Sequence, residues 1–345
     1  MRTFRGGLLI GLAVAVLVAA VAIIYEFYDT RTLKRTIRRG EVFCGVNAGL
    51  PGFSIPDDKG NWTGFDVDFC RAVAAAIFDD PNKAKFIPLD ASERFKELQN
   101  RKVDILSRNS TWSMSHEENY DLYFPAVAYY DGQGFMVPRS RKIDSALNLN
   151  DSKVCVQGAT TTELNLADYF RTNNMKFEEM KFPKQEDVVK AYDSGKCDTF
   201  TADVSQLYAL RLNLAKPGDH VILPDVISKE PLGPVVRQGD DQWFTIVKWT
   251  HFAMVNAEEL GVSSKTIERA MQSEKPEVKR LVGTAGNFGE QAGLANDWAV
   301  RIVRLVGNYG EVFERNIGTK SPLGIPRGLN HLWTMGGIQY APPIR

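Results

Sequence analysis

The feature that most constrains this chain is a strand-and-helix alternation that occurs twice, in residues 40–130 and again in residues 153–225. In the first stretch, a short apolar run over Val42–Val46 predicts a strand. Apolar residues at helical spacing then predict a helix through Phe69 and Ile77. Strands that alternate with helices form parallel sheets, so each stretch predicts an α/β unit with its own core. A chain of 345 residues has room for two such units.

A weak internal similarity supports two copies of one α/β plan. A Lys-x-Asp sequence leads into a strand at Asp104 in one copy and at Asp198 in the other. Turn-rich segments at 129–134 and 231–234 predict two crossings between the copies, because Gly and Pro bend or fix a linker. The carboxy-terminal part predicts helices. The predicted lobes are residues 40–131 plus 235–345 for the first, and residues 132–234 for the second.

The amino terminus predicts export. Arg2 and Arg5 precede the uncharged run 6–24, which has the charged start and apolar core of an export signal. This run of 19 residues is also long enough to span a bilayer, so residues 1–25 are either a cleaved signal peptide or a retained membrane anchor. The basic segment 31–39 opposes a retained anchor, because positive charge favours the cytoplasmic side. Either alternative places the rest of the chain outside the cytoplasm.

The composition and the motifs exclude several classes of function. Lys+Arg and Asp+Glu are both 42, so no basic field exists to attract nucleic acid. The sequence has four His and no CxxC pair, and we therefore expect no metal and no cofactor. It also contains no GxSxG, HExxH or phosphate-loop motif, which argues against a hydrolase.

Four cysteines, Cys44, Cys70, Cys155 and Cys197, agree with an oxidising compartment. Four cysteines permit three pairings. If the lobes divide near residue 135, only 44–70 with 155–197 keeps each bridge inside one lobe. The alternative is four buried free thiols.

Polar residues follow the predicted strands at their carboxyl ends, where open α/β sheets bind ligands. Asn47 ends the first strand, and residues 107–115 combine hydroxyls, an amide, a guanidinium and an indole. Thr160 and Glu163 have the spacing of a capping box, which places a helix amino terminus, and so an anion seat, at this threonine. Asp203 adds a negative charge. An anion seat opposite a carboxylate describes a receptor for a zwitterion, although a simple cap, a turn residue and a solvated loop are the alternatives.

A specific family match lies in residues 64–77, which read Gly-Phe-Asp-Val-Asp-Phe-Cys-Arg-Ala-Val-Ala-Ala-Ala-Ile. This segment resembles the signature of the family 3 extracellular solute-binding proteins of ABC transporters. Further phrases resemble the members that bind general L-amino acids, at residues 44–53, 129–135, 161–170 and 308–315. The resemblance implies a periplasmic-binding-protein-like fold of type 2, in which two α/β lobes joined by two hinge crossings close on a ligand. It also implies a periplasmic monomer that binds free L-amino acids and meets permease subunits and their ATPase.

The resemblance also implies roles for individual residues. The family's hydroxyl pair that grips the ligand in the first lobe corresponds to Thr111 and Ser113. The threonine at the start of the second-lobe helix corresponds to Thr161, and the acid that holds the α-amino group corresponds to Asp203. Asn47, at the end of the first strand, completes the predicted set in the first lobe.

Two positions depart from the family pattern. Relatives carry an arginine shortly after the hydroxyl pair, which clamps the ligand carboxylate through two parallel hydrogen bonds. Here that position is His116, and Arg108 is the candidate substitute. An aromatic residue that stacks on the ligand in relatives is replaced by Leu50.

The alternative function is a dehydratase-like periplasmic enzyme on the same scaffold, with His116 and Glu117 as its candidate acid–base cluster. A sensor held by the anchor is less favoured, because no signalling domain follows.

Overall fold

The structure is a computed structural model of the chain, and it describes residues 31–345. The predicted signal peptide or anchor at 1–25 lies outside these described residues. Between residues 31 and 345, no helix has both the length and the apolar character that a membrane crossing requires.

Two mixed sheets form the framework of the described chain. Its strands are, in chain order, β1 (Val42–Val46), β2 (Ile55–Pro56), β3 (Trp62–Thr63), β4 (Ala84–Pro88), β5 (Ile105–Thr111), β6 (Leu122–Tyr123), β7 (Tyr129–Asp131), β8 (Gln133–Pro138), β9 (Ser152–Gln157), β10 (Phe177–Phe182), β11 (Thr199–Asp203), β12 (His220–Ile222) and β13 (Glu230–Arg237). The first sheet has the order β4-β1-β5-β13-β6, with β7 also paired to β13. The second has the order β10-β9-β11-β8-β12, and β2 and β3 form a separate pair.

Helices pack on these sheets. They are α1 (Thr32–Arg39), α2 (Phe65–Phe78), α3 (Arg94–Gln99), α4 (Met114–Glu118), α5 (Thr161–Thr172), α6 (Gln185–Asp193), α7 (Val204–Arg211), α8 (Asp241–Glu259), α9 (Ile267–Ala270), α10 (Pro276–Leu281), α11 (Phe288–Ala292), α12 (Trp298–Leu305) and α13 (Tyr309–Asn316). The alanine-rich part of α2 is fully buried, because α8 and α12 pack against it. The carboxy-terminal helices therefore return to the first sheet.

The parallel parts of both sheets follow from the strand-and-helix alternation. β1 pairs in parallel with β4 and β5, and β9 pairs in parallel with β10 and β11. β13 arrives from much later in the chain and runs antiparallel to β5, β6 and β7. Its Pro231 and Pro234 lack the N–H that a regular ladder needs, and the register shifts between Gly233 and Val235. The fold class is thus the predicted two-part α/β architecture.

The chain crosses between the sheets twice. Gly132 separates β7 from β8 and is the first crossing, within the predicted segment 129–134. A Cβ atom on Gly132 would lie 2.7 Å from the Ser228 carbonyl oxygen, so the close approach of the two crossings requires glycine here. The return crossing lies between β12 and β13, ahead of the predicted 231–234, because those residues belong to a strand of the first sheet.

The basic segment after residue 30 forms helix α1 and is fixed to the first sheet. Arg35 and Arg39 both form ion pairs with Asp104, whose side chain is fully buried at the start of β5. The Thr32 N–H donates to the Asp240 carboxylate at 2.6 Å, just ahead of α8. The positive charges that the sequence places after the apolar run therefore neutralise a buried acid of the folded body.

The two predicted disulfides are present. Cys44–Cys70 joins β1 to α2, with a Cα–Cα distance of 6.3 Å, and Cys155–Cys197 joins β9 to the segment before β11, with a distance of 5.7 Å. Each bridge stays beside one sheet. The alternative of four free thiols is excluded, since no free cysteine remains.

Candidate functional site

A cleft between the two sheets collects the carboxyl ends of the strands. Its cavity volume is about 30 Å³, so its walls lie close together. Five of the six predicted ligand-binding residues line it, and Ser113 does not. The first sheet and its helices contribute Asn47, Arg94, Arg108, Asn109 and Thr111, while the other side contributes Gln157, Thr160, Thr161, Thr162, Gln185, Val188, Phe200, Thr201, Ala202, Asp203 and Gln206.

The two sides of the cleft touch each other. The Asn47 side-chain amide donates to the Gln185 side-chain oxygen at 3.4 Å, and the Gln185 amide donates to the Gly49 carbonyl at 3.2 Å. The hydroxyls of Thr111 and Thr161 lie 3.3 Å apart. The structure is therefore a closed form, in which groups from both sheets meet around the cleft.

A buried carboxyl group shapes the first-sheet side. Asp66, in the first turn of α2, accepts hydrogen bonds from the Ser107 hydroxyl at 3.1 Å and the Asn109 N–H at 3.0 Å. Burial raises the pKa of Asp66 to about 7. Asn109 has a φ of 35°, in the strained left-handed region, and its side-chain oxygen accepts from Asn47 at 3.2 Å. This backbone conformation places the Asn109 side-chain amide in the lining of the cleft.

Two arginines occupy the same side. The Arg108 Nε–H donates to the Leu89 carbonyl at 2.9 Å. Burial lowers the pKa of Arg108 to about 10, and the acids Asp66, Asp90 and Glu93 act in the opposite direction. Arg94 is 4% exposed and donates to the Ala91 carbonyl at 2.7 Å through Nη1, but its buried Nε has no hydrogen-bond partner. Burial lowers the pKa of Arg94 well below its ordinary value.

The predicted helix start on the second-sheet side is confirmed, but the predicted capping box does not form. Thr160 is the N-cap of α5, yet its hydroxyl donates to the Gln157 carbonyl at 2.7 Å instead of capping the helix. The Glu163 carboxylate accepts from the Ala159 N–H and pairs with Lys181. The first turn of α5 therefore faces the cleft without a side-chain cap, which leaves its positive end for an anion.

Asp203 ends β11, also on the second-sheet side of the cleft, and is 5% exposed. Burial raises its pKa well above the ordinary value, and the nearby Asp131 and Glu230 raise it further. Asp131 accepts from the Ser205 and Gly132 N–H groups, and burial raises its pKa to about 6. These acids, Asp203 from the second sheet and Asp131 and Glu230 from the first, concentrate negative charge around Asp203, a setting that favours a bound cation.

Glu230 is the residue that the sequence gives no reason to select. It is 1% exposed at the start of β13, where its Oε2 accepts from Thr111 at 2.6 Å and from Thr161 at 3.0 Å. Its Oε1 accepts from Asn165 at 2.7 Å and from Ser228 at 2.6 Å. One carboxylate therefore ties a strand of the first sheet to a helix of the second. Its position before a proline resembles an ordinary surface charge, so only tertiary structure identifies it.

The remaining predicted residues lie at the edge of the site. The Ser113 hydroxyl caps α4 by accepting from the His116 N–H and lies 3.1 Å from the Ser115 hydroxyl. His116 places Nδ1 2.8 Å from the Thr111 carbonyl oxygen, and burial lowers its pKa. Leu50 is fully buried in the core of the first sheet and outside the cleft lining, so no ligand stacks on it. Within residues 31–345, no group of His, Cys, Asp and Glu has the arrangement of a metal site.

The comparison with known families decides the class of the protein. A model of the bacterial extracellular solute-binding proteins, family 3, matches residues 42–266. This chain belongs to that family. The cleft is therefore the candidate solute site of a family 3 solute-binding protein.

The similarity to individual relatives extends over nearly the whole chain. The general L-amino acid-binding periplasmic protein of Rhizobium johnstonii is 52% identical, over 97% of this chain and 98% of the relative. The glutamate/glutamine/aspartate/asparagine-binding protein of Rhodobacter capsulatus is 47% identical, over 95% of this chain and 97% of the relative. These findings confirm a solute-binding protein and give no support to the dehydratase-like alternative.

A solved structure of similar sequence identity supports the fold. An ABC transporter periplasmic binding protein from Brucella ovis, with glutathione bound, has a TM-score of 0.91 and 53% sequence identity. The match covers 92% of this chain and 100% of that protein. The similarity confirms the predicted periplasmic-binding-protein architecture.

Proposed function

We propose that this solute-binding protein captures a free L-α-amino acid in the cleft and delivers it to an ABC transporter. The observation that carries the proposal is the buried Asp203, which shares the cleft with the uncapped first turn of α5. A carboxylate suits the ammonium group of the ligand, and free helix N–H groups suit its carboxylate. The names of the Rhizobium and Rhodobacter relatives support amino acids as the ligand class.

Each of the five predicted ligand-binding residues that line the cleft has a proposed role. Asp203 accepts from the ligand ammonium, and the helix start at Thr161 donates to the carboxylate. Thr111 already donates its hydroxyl proton to Glu230, so its oxygen is left to accept from the ammonium. Asn47 and Arg108 lie toward the outer end of the cleft, where we place the ligand side chain.

Capture requires the cleft to open. We propose that the two lobes move apart about the two crossings, with the second crossing between β12 and β13 so that residues 230–234 stay with the first lobe. The ligand favours the closed form because it contacts both sides. Residues 1–25 direct export to the periplasm in this proposal. The closed protein, as a monomer, then meets the permease subunits and their ATPase at the inner membrane.

A second candidate ligand class is favoured by a groove that continues from the cleft. We call it the side groove; it shares Asn47, Arg108, Gln157 and Gln185 with the cleft and has a cavity volume of about 570 Å³. Its outer wall carries charges of both signs, on Asp90, Glu93, Lys184, Glu186 and Lys190. Such a groove has room for a γ-glutamyl peptide, and the Brucella ovis relative has glutathione bound.

Calorimetric titration of the purified protein tests both ligand classes. The probes are the twenty L-amino acids, glutathione, and D-glutamate as a matched control for stereochemistry. Saturable binding of at least one L-amino acid supports the main proposal, and tighter binding of glutathione than of L-glutamate supports the second candidate. Absence of heat with every L-amino acid and with glutathione would overturn the proposed function.

A further inference from the structure

The two arginines of the cleft differ in how their charges are neutralised. Arg108 has the acids Asp66, Asp90 and Glu93 around it, all from its own side of the cleft. The acid that acts on Arg94 is Asp203, which belongs to the opposite side. On its own side, Arg94 has Tyr120 and a second cation, Arg108, as neighbours, and no carboxylate there acts on it. Arg94 is therefore a buried cation that its own half of the molecule leaves uncompensated.

The hydrogen bonds of Arg94 point to the same difference. A guanidinium has five N–H donors, and a buried one is normally paired through most of them. The Arg94 Nη1 donates to the Ala91 carbonyl, while its buried Nε has no partner. Because Arg94 lines the cleft and is 4% exposed, its unused donors are available to an anion that enters the cleft.

Arg94 also lies beside the position where relatives carry the carboxylate-binding arginine. The guanidinium carbon of Arg94 is 4.5 Å from the centroid of the Phe95 ring, and the His116 ring is 4.6 Å from the same centroid. The Arg94 charge lowers the pKa of His116, in addition to the larger effect of burial. Arg94, on α3, thus places a guanidinium close to position 116, where this chain has a histidine instead of the arginine of its relatives.

We propose that Arg94 binds the α-carboxylate of the captured amino acid, in place of an arginine at position 116, while Asp203 binds the ammonium group. This assignment rests on the proposed function and adds a second partner for the ligand carboxylate, beside the helix start at Thr161. A zwitterion between Arg94 and Asp203 neutralises two buried charges, one from each side of the cleft. Arg108, with acids around it and a bond to the Leu89 carbonyl, is left to position the side chain of the ligand.

The test uses the full protein and the L-amino acid that the parent binds most tightly, together with its α-carboxamide, which lacks the carboxylate. We expect Arg94→Gln to weaken binding of the amino acid by about 30-fold or more, because a buried ion pair loses one partner. Binding of the α-carboxamide, which the parent holds more weakly, changes little. Arg101→Gln, at an exposed arginine outside the cleft, serves as the matched control and keeps the parent affinity for both probes.

A rescue variant separates ligand binding from a structural role. Arg94→Gln combined with His116→Arg places a guanidinium at the position that relatives use, and we expect it to recover part of the lost affinity for the amino acid. Equal losses for the amino acid and its amide would assign Arg94 a structural role and overturn the proposal. An Arg94→Gln variant that binds the amino acid as tightly as the parent does would also overturn the proposal. If the parent binds none of the twenty amino acids, the proposed function itself fails, which is a distinct outcome.

Discussion

The two sides of the cleft carry charge in different ways. On the first-sheet side, Arg108 and Asp66 lie close to one another, and each shifts the pKa of the other toward its ordinary value. The second-sheet side contributes one buried acid, Asp203, whose charged neighbours all lie on the first sheet and its helices: the acids Asp131 and Glu230, and the cation Arg94. Asp66 and Arg108 offset each other within one side, whereas Arg94 and Asp203 offset each other only across the cleft. Charge balance at the centre of the molecule is therefore reached only when the two sides meet.

The two sides also differ in how firmly they are supported. Helices α8 and α12 pack on the first sheet through α2, and the carboxy-terminal tail adds further bonds. The Gln339 amide donates to the Ala128 carbonyl at 3.2 Å, and Asn330 exchanges hydrogen bonds with the backbone of Tyr130. The second sheet has helices α5 to α7 and no comparable outer layer within the described chain. We therefore expect the first sheet to act as the fixed platform, and the second sheet with helices α5 to α7 to be the closing part.

The acid of the closing part gives the largest expected effect. Asp203→Asn removes the proposed partner of the ligand ammonium, and we expect a loss of about 2–5 kcal/mol in binding free energy by calorimetry. The unliganded variant melts no lower than the parent, because the change removes a buried charge that is only partly compensated. Asp58→Asn, at an exposed acid far along the chain from β11, is the matched control. Unchanged affinity in Asp203→Asn would remove the ammonium assignment.

The disulfides test whether both parts depend on covalent support. By loop-closure entropy, removal of Cys155–Cys197, which closes 42 residues, costs about 4 kcal/mol, and removal of Cys44–Cys70, which closes 26, costs about 3.5 kcal/mol. The double Cys→Ser variants, unfolded with guanidinium chloride, give the two values. We expect the Cys155/Cys197 variant to lose more, because its sheet has less outer packing. The reverse order would contradict the idea of a lighter closing part.

The buried carboxyl group of Asp66, on the first-sheet side, predicts a specific pH dependence of stability. Asp66 has a pKa of about 7 in the folded protein and about 3.9 in the unfolded chain. As pH rises between these values, the unfolded chain loses this proton first, so the free energy of unfolding falls with pH. The fall is on the order of 2 kcal/mol between pH 5 and 7 and levels off above the folded pKa. Asp66→Asn, which keeps an acceptor for Ser107, flattens this slope in denaturant unfolding at pH 5, 6, 7 and 8; an unchanged slope would contradict the assignment.

The Glu230 carboxylate, which links the two sides of the cleft, gives the smallest expected effect. Glu230→Gln replaces a carboxylate acceptor of the Thr111 and Thr161 hydroxyls by a neutral amide, which weakens these bonds by about 1 kcal/mol. We expect the radius of gyration of the unliganded variant, measured by small-angle X-ray scattering, to increase toward an open form. Glu186→Gln, at a charge on the outer wall of the side groove, provides the control. A compact Glu230→Gln variant would show that other contacts hold the closed form.

The sequence predicts the elements whose signals are local. Apolar periodicity locates β1 and α2, and the resemblance in 64–77 leads to the correct family and fold. The apolar run 103–106 predicts only the beginning of β5, since residues 107–111 are polar and become strand by pairing with β13 from more than a hundred residues later. The same distance explains the misplaced return crossing, because Pro231 and Pro234 signal a linker until their pairing partners are known.

The candidate site shows the same limit. The strand ends place Asn47 at the edge of the first sheet and Thr161 and Asp203 at the edge of the second, and that much follows from the topology of parallel sheets. The roles of Glu230 and Arg94 depend on burial and on partners from the opposite side, which no local pattern carries. The spacing of Thr160 and Glu163 predicts the helix start correctly but not the capping bonds, because Gln157 and Lys181 compete for both side chains.

Helix α1 has a consequence for how the protein can be tethered. Its ion pairs with Asp104 hold it at the amino-terminal end of β5, whereas the carboxyl end of the same strand opens into the cleft. A lipid, a tag or a surface attached ahead of residue 31 would therefore pull on the supported sheet, at the edge away from the cleft mouth. An amino-terminal attachment leaves both the entry of the solute and the swing of the second sheet unobstructed, so immobilised and free forms of the protein should load alike.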